Sequence, residues 1–193
     1  IGPSQAGKTT LGQYLNALFI PRSGRVLIDG RDTADRKTDL VQIRFEVGYV
    51  FQNPEHQLFK TTVGEDIAFG PTRQRCTPEE VRERVREAML LVGLDEETFY
   101  QRDIFALSGG QKRRAAIAGV LACRPRVLIL DGITAGLDPH GRTEILGVGG
   151  KTHPGRKKTA FFLLHSTGEV GRRGGGVLGL ERSLLHHCRV LHP

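Results

Sequence analysis

The sequence predicts an α/β fold, a mainly parallel sheet with a helical subdomain inserted into it. Three observations predict this. Short apolar runs suited to buried strands, Val127–Leu130 and Ala160–Leu164, alternate with helix-spaced segments. A glycine-rich octapeptide opens directly into a helical segment. The stretch from Thr61 to about Phe105 carries helical periodicity between two parts of the α/β pattern.

The elements come in this order. A helix is predicted over Thr9–Phe19, ended by Pro21 and the Ser23-Gly24 turn. Arg25–Ile28 reads as a strand closed by Asp29-Gly30, and Glu46–Phe51 as another, with Val47 and Val50 buried. Thr77-Pro78-Glu79-Glu80 combines a capping box with proline at the first helical position. Val81, Val85, Ala88 and Val92 then recur at helical spacing until Gly93. A helix over Ser108–Cys123 and strands over Arg126–Leu130 and Thr159–Leu164 come next. Val177–Leu180 reads as a last strand weakened by Gly179, and no structure is read after Glu181. The expected division is residues 1–60 and 106–181 as the two parts of the core, 61–105 as the helical subdomain, and 182–193 as an unassigned tail.

Composition narrows the function classes. The 193 residues suit one α/β domain. No stretch approaches the ~20 apolar residues needed to span a bilayer, and no secretory signal is visible. Work at a membrane would therefore go through partners. Much of the formal charge of +7 lies in Lys151–Arg173 and the tail. It lacks the aromatic interleaving of single-strand binders, so no specific nucleic acid is expected. Cys76, Cys123 and Cys188 are far apart and read as reduced structural thiols.

The octapeptide Gly2-Pro3-Ser4-Gln5-Ala6-Gly7-Lys8-Thr9 fits G-x-x-x-x-G-K-[ST], the P-loop pattern, and Thr10 comes directly after it. Glycines let the backbone turn tightly and aim N–H groups at phosphate oxygens. The helix behind adds its positive end. Lys8 is placed to reach the β- and γ-phosphates, and the Thr9 hydroxyl to ligate Mg²⁺. The complement is Val127-Leu128-Ile129-Leu130-Asp131, an apolar strand that ends in a carboxylate at the sheet's carboxyl edge. Asp131 can hold the same metal. Together these predict a P-loop NTPase core with ATP and Mg²⁺ as cofactors. A P-loop needs a strand before it, and none precedes Ile1, so the sequence reads as N-terminally truncated.

Leu107-Ser108-Gly109-Gly110-Gln111 is the most specific motif. Ser108 can cap a helix while Gly109 and Gly110 expose backbone N–H groups, a second anion site. The pentapeptide is identified with the LSGGQ motif of ABC ATPases, and the chain resembles that family from about Gly2 to Val170. The resemblance implies a head-to-tail dimer, each LSGGQ segment, Ser108–Gln111 here, closing over the ATP of the other subunit. It also implies that Gln52 senses γ-phosphate and Mg²⁺, that Asp138 in Ala135–Asp138 lies at the dimer seam, and that His165 contacts the γ-phosphate.

Tyr49–Phe59 and Val63–Pro71 are similar to the ATPases of energy-coupling factor importers of the cobalt/nickel and vitamin types. That likeness implies a second ATPase subunit, in a homo- or heterodimer, with a membrane coupling protein and a substrate-binding membrane component. It places the chain peripherally on the cytoplasmic face of the cell membrane. Gln57, Leu58, Phe59 and Thr61–Phe69 are the candidates for the groove that receives the coupling protein; Leu58 and Phe59 as ordinary core contacts is the plainer alternative.

One position departs from the family. Glutamate usually comes directly after the metal aspartate and polarises the attacking water, but Gly132 stands here, with Ile133 in place of the usual proline. Positioned acid–base groups contribute typically ~10²–10⁴-fold in rate. The expectation is ATP binding with impaired hydrolysis. A degenerate partner in a heterodimer, an inactive variant and a sequence fault all stand open; Gly168 and Gly179 also replace larger residues. The rivals to an importer ATPase are a non-transport ABC protein and an ATP-dependent regulatory module.

Overall fold

The computed structural model describes residues 3, 5–132, 159–163, 177–181 and 184–188. In chain order these form α1 Lys8–Leu15, β1 Leu27–Ile28, β2 Arg31–Asp32, α2 Leu40–Glu46, β3 Val47–Val50, α3 Val63–Arg73 and α4 Pro78–Leu91. Then come α5 Glu96–Phe99, α6 Gly109–Ala122, β4 Val127–Asp131, β5 Thr159–Leu163, β6 Val177–Glu181 and β7 Leu184–Cys188. Strands β3, β4 and β5 make a parallel sheet with β4 in the middle. The pairs β1–β2 and β6–β7 are antiparallel ribbons.

Strand alternation sorts the apolar residues into two layers. Val47, Tyr49 and Ile129 pack with Ala17 after α1 and Ile43 of α2. Val50, Leu128 and Leu130 point the other way and pack with Ile67 of α3, Met89 of α4 and Ile117 of α6. The sheet is thus covered on both faces, which is why β4 reads as an unbroken apolar run. Each fully buried Ile or Met in this core contributes roughly 1.5–3 kcal/mol.

Two helices of the inserted segment start by the same device. Thr77 Oγ1 accepts from the Glu80 amide at 3.3 Å, and the Glu80 carboxylate accepts from the Thr77 amide at 2.9 Å. Thr62 and Glu65 repeat this at the start of α3. Along α4, Val85, Ala88 and Met89 are buried on one stripe, and the chain turns out at Gly93 with φ +70°.

Several elements differ from the expectation. The first helix ends at Leu15, not Phe19: the Asn16 side-chain amide donates to the Val47 carbonyl, and Ala17 takes φ +54°. This pin to β3 outweighs the helix propensity of Ala17 and Leu18. The predicted strand Arg25–Ile28 shrinks to β1, because Asp29 and Gly30, both at positive φ, already turn the chain into β2. Helix α2 was not legible: it is short, with Ile43 as its buried residue, and is started by Asp39 accepting from the Val41 and Gln42 amides. Strand β7 lies in the tail left unassigned from the sequence. Cys76 and Cys123 are free thiols, and burial pushes the Cys123 thiol up to about 11, so it stays protonated at neutral pH.

Thr77→Ala should cost about 1 kcal/mol of stability in urea unfolding, the usual worth of an N-cap, while Thr77→Ser should cost little.

Candidate functional site

The site is built where α1 meets the carboxyl end of the parallel sheet. Gln5 and Gly7 adopt positive φ, +64° and +91°, so the loop before α1 curls tightly. The Ala6 amide donates to the Pro3 carbonyl at 3.3 Å, and the Gly7 carbonyl accepts from the Leu11 amide at 2.9 Å. Lys8 is buried, and its ammonium donates to the Pro3 carbonyl at 2.7 Å. A buried cation inside a loop of turned backbone is the arrangement that receives an anion.

Across from this loop, Asp131 ends β4 at 5% exposure. A buried carboxylate needs a donor, and Tyr49 on the neighbouring strand supplies one: its hydroxyl donates to Asp131 Oδ2 at 2.7 Å. The register explains the reach. Tyr49 lies opposite Ile129, two residues before Asp131 on the same face of the sheet. Burial, and then the hydrogen bond to Asp131 and its charge, hold the phenol well above its ordinary pKa, so it remains a donor. Gly12 of α1 makes room for the ring: a Cβ there would come within 2.7 Å of Tyr49 Cε2.

Thr9, Gln52 and Asp131 line one cavity of about 380 Å³, together with Phe51, Asn53, His56 and Gln57. The three residues expected to hold magnesium are therefore neighbours. Their hydroxyl, amide and carboxylate oxygens are the hard donors that Mg²⁺ takes alongside phosphate. Among the described residues no cluster of three or more His, Cys, Asp or Glu could hold a metal by itself. A magnesium that arrives with phosphate needs no such cluster. Sequence reasoning singled out neither Asn53, His56 nor the tie from Tyr49. A tyrosine in an apolar strand signals burial, and only the register shows where its hydroxyl ends.

Gly132 occupies the left-handed region, φ +57°, and its amide donates to the Leu163 carbonyl at 3.1 Å. A Cβ there would lie 3.3 Å from Gln52 Cγ. This position therefore faces Gln52, and its backbone suits glycine.

Ser108–Gln111 do not line this cavity. They form the start of α6, where Ser108 Oγ accepts from the Gln111 amide and Gln111 Oε1 accepts from the Ser108 amide at 2.9 Å. Gly109 and Gly110 are exposed, and an added Cβ would meet nothing within 4 Å at either. Gln111 is thus turned into its own helix cap, while the two glycines leave the helix end open. Gly2, Ser4, Asp138 and His165 lie outside the described residues.

Residues 1–135 match the family model of the ABC transporters. The chain belongs to this family. Its ABC transporter relatives include the energy-coupling factor transporter ATP-binding protein EcfA2 of Symbiobacterium thermophilum, 52% identical over 187 residues, covering 96% of this chain and 64% of that protein. The chain thus spans less than two thirds of that relative. Among solved structures, CbiO1 from Clostridium perfringens, described as part of the ABC transporter complex CbiONQ, is 34% identical with a TM-score of 0.83, covering 96% of this chain and 73% of that one. The ATP-binding cassette MJ0796, a dimer in a post-hydrolysis state bound to ADP and Pi, is 29% identical with a TM-score of 0.85, covering 99% and 84%.

Because Gly132 sits at positive φ, Gly132→Ala should destabilise the fold by about 1–2 kcal/mol, readable as a lower urea midpoint.

Proposed function

We propose that this chain is the ATP-binding subunit of an energy-coupling factor importer and that it binds Mg-ATP on one face of a shared site. The observation that carries the reading is the cavity joining Thr9, Gln52 and Asp131 beside the buried Lys8. The similarity to EcfA2 and to CbiO1 supports the importer class.

In this reading the P-loop, Gly2 to Thr9 with Thr10 behind it, holds the phosphates. Lys8 exchanges the Pro3 carbonyl for phosphate oxygens. Thr9, Asp131 and Gln52 hold magnesium, which when bound screens the phosphate charge. Ser108, Gly109, Gly110 and Gln111 act on the nucleotide of a second ATPase subunit; the dimeric state of MJ0796 supports that arrangement. Asp138 lies at the seam, and His165 contacts the γ-phosphate.

The subunit works at the cytoplasmic face of the membrane through a membrane coupling protein and a substrate-binding component, moving a cobalt/nickel-type cation or a vitamin. Among the described residues no helix is long and apolar enough to cross a membrane. The docking surface we assign lies around Phe59 and Phe69. Their rings meet edge to face at 4.9 Å, and Lys60 lies 5.6 Å from both. Phe59 is 60% exposed, whereas Leu58 packs against the core. The loop is fixed from behind by buried Asp66, whose carboxylate accepts from the Phe59 and Lys60 amides. Residues 61–105 act as the helical subdomain that carries α3 and its neighbours.

Hydrolysis by this chain is impaired, because Gly132 offers no side-chain base next to Asp131. Lys8→Ala should abolish binding of a fluorescent ATP analogue. Gly132→Glu should raise ATPase turnover by about 10²-fold, with Gly132→Ala as the control for backbone strain. Fast turnover by the unaltered homodimer would contradict the reading, and no gain in Gly132→Glu would favour a regulatory module. Pull-down should recover a membrane coupling protein and lose it in Phe59→Asp.

A further inference from the structure

We propose that Tyr49 is a positioning residue for the metal site: its hydroxyl fixes one oxygen of Asp131 so that the other is aimed at the magnesium held beside Thr9. This rests on the nucleotide-site reading above and extends it to a residue that does not touch nucleotide.

The geometry leaves the phenol little freedom. Tyr49 is 5% exposed, packs against Phe51 with ring centroids 4.7 Å apart, and fills the slot left by Gly12. Its hydroxyl oxygen lies 2.7 Å from Asp131 Oδ2 and 3.5 Å from the Thr9 carbonyl. It therefore sits between the two residues assigned to the metal, one on α1 and one on β4. A tyrosine hydroxyl has one proton, and the short contact shows that Asp131 receives it. With Oδ2 held, the carboxylate cannot rotate freely, and Oδ1 is the oxygen left for the cavity. Removing the hydroxyl leaves a buried carboxylate oxygen without this donor, and its orientation is no longer set from the neighbouring strand. Partners that orient a metal-binding carboxylate typically carry 10–100-fold in metal affinity when lost.

Tyr49→Phe keeps the ring and deletes the proton, so it separates positioning from packing. The test loads wild type and Tyr49→Phe with an ATP analogue. It measures nucleotide affinity in EDTA by fluorescence, then Mn²⁺ affinity of the loaded protein by electron paramagnetic resonance. The expected result is unchanged nucleotide affinity in EDTA with Mn²⁺ affinity weakened about tenfold or more. An altered hyperfine pattern of the bound Mn²⁺ would support the same conclusion, since a purely structural role would not move it. Equal Mn²⁺ affinity and spectra in both proteins would overturn the inference alone. Failure of wild type to bind nucleotide at all would overturn the nucleotide-site reading and this inference with it. If Tyr49→Phe weakened nucleotide binding in EDTA and Mn²⁺ binding by the same factor, the residue would be a packing residue and the positioning role would be wrong.

Discussion

Asp131 is a carboxylate buried at the end of the central strand, and keeping it there sets much of what surrounds it. A buried charge must be matched by donors or a cation. The fold supplies Tyr49 from β3 at 2.7 Å and places Thr9, at the start of α1, along the same cavity. The phenol in turn requires a glycine on the helix that crosses it, and Gly12 is that glycine. The parallel register of β3 and β4 decides that Tyr49 and Asp131 share a face. Sheet register, helix packing and site chemistry therefore meet at this one carboxylate.

Much of the core was legible because its signals are local. The run Val127–Asp131 is short, apolar and ends in a charge, and it became β4 within a residue of the expected bounds. Ser108–Cys123 and Thr77–Val92 carry caps at their starts and emerged as α6 and α4. What escaped depends on contacts between distant residues. The early end of α1 is made by Asn16 reaching the Val47 carbonyl, thirty-one positions away. Helix α2 has too few buried positions to show a period, and β7 is defined by its pairing with β6. At the site, the motif residues Thr9 and Asp131 could be read from spacing. The tie between Tyr49 and Asp131 spans eighty-two positions and could not.

The two helix starts proposed to face phosphate have different company. The start of α1 faces a carboxylate, an amide and a hydroxyl gathered in a cavity. The start of α6 presents two bare glycines to open space. The first has polar neighbours within the chain; in the proposed reading the second meets phosphate on another copy or a related subunit. Gly132 fits the same division. In the proposed reading, a position with no side chain and a backbone at positive φ leaves the nucleotide-binding groups in place but offers no side-chain base to activate water. Such a subunit would spend longer in the ATP-closed state than one able to hydrolyse.

Sedimentation velocity of the chain with and without Mg-ATP addresses the shared site most directly. A shared site predicts a monomer without nucleotide and a dimer with Mg-ATP, the dimer lost when Ser108 is replaced by a bulky charged residue in Ser108→Arg. A chain that binds Mg-ATP at saturation yet stays monomeric, alone and with its neighbouring ATPase subunit, would contradict it.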